Sequence, residues 1–187
     1  MARLRNNRKT TRPQEGRAKA PVTPEERRRH TFERAIKLLS ARSRSVAELR
    51  ELLTQNSDAN KSCVDEVLAR LTEYGYLNDE RFALGYASAR VRQRPIGRQR
   101  LKRDLALKKV SKETVDEALD LVFAETPESE LIDRAIEKRT RLRGRPSNRA
   151  EAKSLFDHLL RQGFPFELVA EKVRAASRAN LDEDETI

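Results

Sequence analysis

"VDEVL", residues 64–68, returns as "VDEAL" at 115–119 and, more weakly, as "VAEKV" at 169–173. Each stretch sets apolar residues three and four apart, which places them on one face of an α-helix. The helix before each copy recurs in step: Leu49 and Leu53 correspond to Leu101 and Leu105, and these to Leu155 and Leu159. Self-similarity at this period marks a repeat architecture, in which each unit is too small to bury much alone and neighbours pack end to end. The pattern predicts an all-α protein, an elongated, curved array of three tandem three-helix units over residues 23–77, 78–126 and 127–178.

Helix-end chemistry supports those boundaries. In "TPEE" Thr23 can cap, Pro24 suits the first helical position and Glu26 completes a capping box; Ser45 and Glu48 repeat that spacing in "SVAEL". The seam between the first two units is "GYLNDERFA", residues 75–83. Gly75 suits the left-handed position that closes a helix, and Asn78 suits the cap that opens the next. Asp79 and Glu80 are favourable at that helix's positive end, and Leu77 and Phe82 have the spacing of a hydrophobic staple.

Composition agrees with a thinly cored helical array. Charged and hydrophobic residues each make up 37% of the 187, and tryptophan is absent, so apolar burial must be spread over several amphipathic helices. Residues 1–22, rich in Arg and Lys, carry too few apolar groups to offset the entropy of ordering and read as a disordered basic tail; residues 179–187 read as a loose acidic one. The net charge of +10 and a pI near 10.1 favour polyanionic partners. No stretch approaches the roughly 18 apolar residues of a bilayer span, and no apolar run follows the basic N-terminus as in a secretory signal. The expectation is a cytoplasmic, monomeric protein without membrane contact.

Enzymatic constellations are missing from the sequence. It has no glycine-rich phosphate loop, its histidines His30 and His158 lie far apart, and its one cysteine, Cys63, sits among Val64, Val67 and Leu68 as a small core residue. Neither catalysis nor a cofactor is expected. The basic clusters carry more. In "RVRQRPIGRQRLKRDLALKK", residues 90–109, cations surround a helix whose apolar line is Leu101 and Leu105; Gln99 and Arg103 point outward, with Arg100 and Lys102 on the flanks. "KRTRLRGRPSNR", residues 138–149, occupies the matching place in the third unit. Recurrence in successive units suggests one continuous surface for a regularly charged polymer or filament. The aromatics fall mostly at apparent core positions, which argues against a base-stacking platform for single strands.

The chain resembles the RecX family of bacterial recombinase regulators over residues 30–176, on "LLSARSRSVAELRELL", "YGYLNDERFALGYASAR", "PIGRQRLKRDLALKKVSKETVDEAL" and "LLRQGFPFELVAEKV". The resemblance implies tandem three-helix units that bind the RecA filament on single-stranded DNA, in its groove and at its growing ends, with weaker contact to DNA. It also implies suppression of RecA's strand exchange, ATPase and co-protease activities. The tail at 1–22 and the joint "TQNSDANKS" in the first unit depart from the family pattern. The expected central contacts are Arg90, Arg92, Arg94, Arg98, Arg100, Lys102 and Arg103, extended by Arg139, Arg141, Arg143 and Arg145. The competing reading is a general basic helical nucleic-acid-binding protein, its helices set against phosphates.

Overall fold

The structure, a computed structural model, describes residues 23–55 and 60–184, with side chains as far as residue 177; the basic stretch 1–22 and residues 185–187 lie outside it. Among the described residues there are nine helices and no strand: α1 (Pro24–Ala41), α2 (Val46–Gln55), α3 (Lys61–Glu73), α4 (Asp79–Gln93), α5 (Arg98–Leu107), α6 (Lys112–Glu125), α7 (Glu128–Arg143), α8 (Arg149–Gln162) and α9 (Phe166–Asp184). The chain is all-α, as the repeat requires. One expectation fails at the C-terminal end: residues 179–184, read as part of a loose tail, continue α9 as helix.

The helix ends form as their residues dictate. Thr23 Oγ1 accepts the Glu26 N–H at 3.2 Å while the Glu26 carboxylate accepts the Thr23 N–H at 2.9 Å. Ser45 and Glu48 make the same reciprocal pair at the start of α2. Asn78 Oδ1 accepts the Arg81 N–H at 2.6 Å. Gly75, at φ 71°, closes α3, and the N–H groups of Gly75 and Tyr76 reach back to the carbonyls of Thr72 and Leu71. The left-handed residue thereby satisfies carbonyls that the helix leaves over.

Helices α1, α2 and α3 pack on one another, α6 packs on α4 and α5, and α7, α8 and α9 pack together. The repeated leucines at 49, 53, 101, 105, 155 and 159 are buried, as are Val64, Val115 and Val169. The core, however, divides in two rather than three. Ala35, Leu49, Leu53, Val64, Val67, Leu68, Leu71 and Leu77 form one cluster. Buried residues from Phe82 to Val173 form a second that runs unbroken through α4–α9. Leu77 belongs to the first and Phe82 to the second, so they fasten the seam to its two sides and do not act as the mutual staple their spacing suggests. Cys63 is buried, its Sγ 3.8 Å from Thr31 Oγ1.

The middle helices of successive groups meet end to start: the end of α8 bonds to the start of α5, and the end of α5 to the start of α2. Where α8 meets α5, Gly97 N–H donates to Gln162 O at 3.0 Å and Gln99 N–H to Gly163 O at 3.1 Å. Donors left over at the start of one helix thus meet acceptors left over at the end of another. Where α5 meets α2, Ser45 Oγ donates to Lys108 O at 2.6 Å, and Lys108 Nζ binds Glu48 at 3.0 Å. An acidic residue from the following group completes each junction. Asp79, first in α4, accepts the Val46 N–H at 2.9 Å, and Glu128, first in α7, accepts the Arg98 N–H at 2.7 Å.

Candidate functional site

The cations of the middle group fall into two sets with different work. Asp104 on α5 is the node of the first. Arg90 approaches its Oδ2 at 3.3 Å, Arg100 its Oδ1 at 3.7 Å, and the Tyr86 hydroxyl lies within 3.5 Å. Arg100 also donates to Arg161 O at 3.2 Å, across the α8–α5 junction. Lys102 pairs with Asp116 at 2.6 Å, and Arg98 pairs with Asp120 at 2.5 Å while lying over the Phe123 ring. These pairs tie α4 and α6 to α5. Arg90, Arg98, Arg100 and Lys102, expected as central contacts, therefore already hold internal partners that fix their geometry.

The second set faces outward. Arg92 and Arg103 are exposed, and Arg103 donates only to Gln99 O, one turn back in its own helix. The sequence placed Gln99 and Arg103 outward and Arg100 and Lys102 on the flanks, and exposure follows that order. In the last group Arg141 is exposed but bound to Glu137 at 2.7 Å, one turn away. Arg145, exposed in the loop after α7, is also engaged within the chain.

The remaining three expected residues converge. Arg94, at the end of α4, shares a cleft of about 290 Å³ with Arg139 and Arg143 of α7; Pro95, Ala135, Lys138, Leu142, His158 and Gln162 complete it. No carboxylate lines this cleft. Arg94 Nε is buried without a hydrogen-bond partner, and Arg139 donates to Ser154 Oγ at 2.9 Å. Burial, and then the charges of Arg143 and Arg161, push Arg139's pKa below that of a free guanidinium. Burial, and then Arg139, Arg161 and Arg143, hold His158 below the ordinary imidazole value. Burial is the larger cause in both cases, and the neighbouring guanidinium charges act in the same direction, so positive charge gathers at this cleft with no carboxylate in its lining. Arg139 and Arg143 also line a second depression, of about 330 Å³, which includes Glu151, whose carboxylate accepts the Ser147 N–H and hydroxyl at 2.8 and 2.9 Å.

Sequence reading missed Lys138 and His158 as members of this site, and Arg161 as a charge acting on it. Lys138 was within reach of it, because Lys138, Arg139, Leu142 and Arg143 share one face of α7 by spacing alone. His158 and Arg161 come from α8, and only the packing of α7 on α8 brings them near. Among the described residues no group of His, Cys, Asp and Glu has the arrangement of a metal site, and no helix is long and apolar enough to cross a membrane.

Comparison with known proteins places this geometry in context. Residues 78–119 match a family model described as the second three-helix domain of RecX. The regulatory protein RecX of Deinococcus radiodurans is 31% identical over 150 residues, which span 80% of this chain and 70% of that protein. The regulatory protein RecX of Bacillus licheniformis is 30% identical over 151 residues, spanning 81% of this chain but only 57% of the relative's length. The crystal structure of RecX from Lactobacillus salivarius superposes with a TM-score of 0.72 at 19% identity, covering 83% of this chain and 99% of that one.

Proposed function

The chain belongs to the RecX family, and from that premise we propose that it is a non-catalytic regulator that binds the RecA filament on single-stranded DNA and suppresses its ATPase, strand-exchange and co-protease activities. In this reading the three helix groups are units of one array, and the cationic side of the middle and last units lies along the filament. The observation that carries it is the division of the cations. Arg90, Arg98, Arg100 and Lys102 are held by acidic neighbours, whereas Arg92, Arg103, Arg94 and Arg143 face outward or into the cleft with no carboxylate within ion-pair distance among the described residues. Side chains that already hold the units together orient the surface, and those without acidic partners are available to attract and register a negatively charged one.

The test is RecA's DNA-dependent ATPase, measured against increasing protein with single-stranded DNA in excess. The unaltered chain should lower it. Arg92→Glu with Arg103→Glu should need about tenfold more protein for the same effect, with an unchanged circular dichroism melt. DNA affinity of the same variants, measured without RecA across a salt series, separates the nucleic-acid reading. Inhibition that follows DNA affinity in every variant would transfer the function to DNA binding.

A further inference from the structure

We propose that the cleft between α4, α7 and α8 is a docking site for an acidic peptide segment that carries an apolar side chain among its carboxylates. The proposal is independent of RecA, since it concerns the chemistry of the ligand and not the protein that bears it.

Two features of the cleft must be matched together. The first is charge: Arg94, Lys138, Arg139 and Arg143 line it without a carboxylate, and Arg94 Nε is buried with no partner. Guanidinium groups in such a setting favour planar oxyanions, which they can engage through two parallel hydrogen bonds. The second is apolar surface. Leu142 is 75% exposed on the cleft, beside Pro95 and Ala135. An exposed leucine next to four cations is poorly served by water and by a simple anion alike. A ligand that covers it while neutralising its neighbours gains from both contacts.

A nucleic-acid backbone fits the first feature and not the second. Its phosphates would meet the cations but leave Leu142 uncovered, and no Phe or Tyr lines the cleft to stack a base. Peptides with one large apolar residue between aspartates or glutamates present both groups at the right scale, the apolar side chain entering the cleft and the carboxylates lying on its rim. His158 lines the same cleft, so its ring resonances report occupancy directly.

The experiment uses the full chain and three fluorescein-labelled probes: Asp-Glu-Asp-Phe-Asp-Glu-Asp, the same peptide with Ser for Phe, and a short oligothymidylate. Anisotropy titrations at one ionic strength should show the Phe peptide binding several-fold more tightly than the Ser peptide and shifting the His158 resonances. Leu142→Ser should remove that preference. Arg143→Glu should weaken the Phe peptide by about tenfold and oligothymidylate by no more than Arg103→Glu does, Arg103 being an exposed cation outside the cleft. The comparison of the two peptides on the unaltered chain needs no variant to fold. Equal binding of both peptides, or of neither, overturns the proposal. A larger loss of oligothymidylate than of peptide in Arg143→Glu would make the cleft a phosphate site instead. No arm contains RecA, so failure here leaves the filament reading standing.

Discussion

Gly97 and Gly163 sit where two backbones meet with no room for a side chain. A β-carbon at Gly97 would fall 2.3 Å from the carbonyl carbon and oxygen of Gly163, and one at Gly163 would fall 2.3 Å from the Arg100 nitrogen. Gly163 also holds φ +92°, a conformation that side-chain-bearing residues rarely adopt. Gly97→Ala should therefore push α5 from α8 and cost roughly 1–3 kcal/mol, read as a lower denaturation midpoint at unchanged m-value. Gly85 is the contrast. It lies within α4 with nothing within 4 Å of its absent β-carbon, so Gly85→Ala should stabilise the chain by roughly 0.5–1 kcal/mol. A sequence displays both glycines alike, because a close approach between residues 97 and 163 is a property of the folded chain. Local chemistry was legible: the Thr23, Ser45 and Asn78 caps and the left-handed Gly75 are all present. The role of Arg98 was not. It lies in a basic run but binds Asp120 and covers Phe123, so Arg98→Glu should lower stability where Arg103→Glu leaves it unchanged.

The helices themselves follow from apolar spacing, yet their order along the array depends on bonds between elements that no local pattern encodes. At both junctions the first residue of the next unit's opening helix caps the middle helix of the unit before it: Asp79 on Val46, Glu128 on Arg98. Asp79 and Glu80 were legible as acidic residues at a helix's positive end, but the donor that Asp79 serves lies 33 residues earlier. Acid titration should separate two of these junction carboxylates by sign. Burial raises the pKa of Glu48, but the hydrogen bonds from Lys108 and Ser45 and the charges of Lys108 and Arg42 outweigh it, leaving it below the usual 4.5. Its stabilising contribution is present above 4.5 and disappears as pH falls through the lower, folded value. Burial raises the pKa of Glu128 above 4.5, and the Arg98 N–H and charge only partly oppose it. Its charge therefore costs stability at neutral pH, a cost relieved as pH falls through the raised value towards 4.5. Glu48→Gln should be destabilising at pH 7 and nearly neutral at pH values well below 4.5, whereas Glu128→Gln should be mildly stabilising at pH 7 and lose that benefit on acidification. Urea titrations over that range measure both; the same sign for the two variants would show that the junctions do not share the burden as described.

For the whole molecule, the repeat led to the all-α array and to every position of its leucine ladder, but not to how the cores join. Three similar sequence units suggest three similar bodies. The apolar residues instead form one cluster in α1–α3 and a single continuous one through α4–α9. The reason lies in the two junctions. Between α8 and α5 the glycines let backbones touch, bringing Ile96 and Phe164, both buried, into one core. Between α5 and α2 the contact is made by longer polar side chains, Lys108 with Glu48 and Lys109 with Glu51, and Lys108 lies over the rings of Phe82 and Tyr86. A polar junction transmits less cooperativity than a shared core, since partly exposed ion pairs contribute little while buried leucines contribute several kcal/mol. The first unit should consequently open on its own, below the free energy of global unfolding. Leu49→Ala and Leu105→Ala, each truncating a fully buried side chain on the middle helix of its unit, test this by amide hydrogen exchange. Leu49→Ala should speed exchange in α1–α3 and leave α4–α9 close to unchanged. Leu105→Ala should speed exchange through α4–α9 together, including α8 and α9, which lie in the following unit. Equal loss of protection along the entire chain in both variants would mean that the α5–α2 junction couples the units as tightly as the glycine contact does, and that the separate cores fold as one.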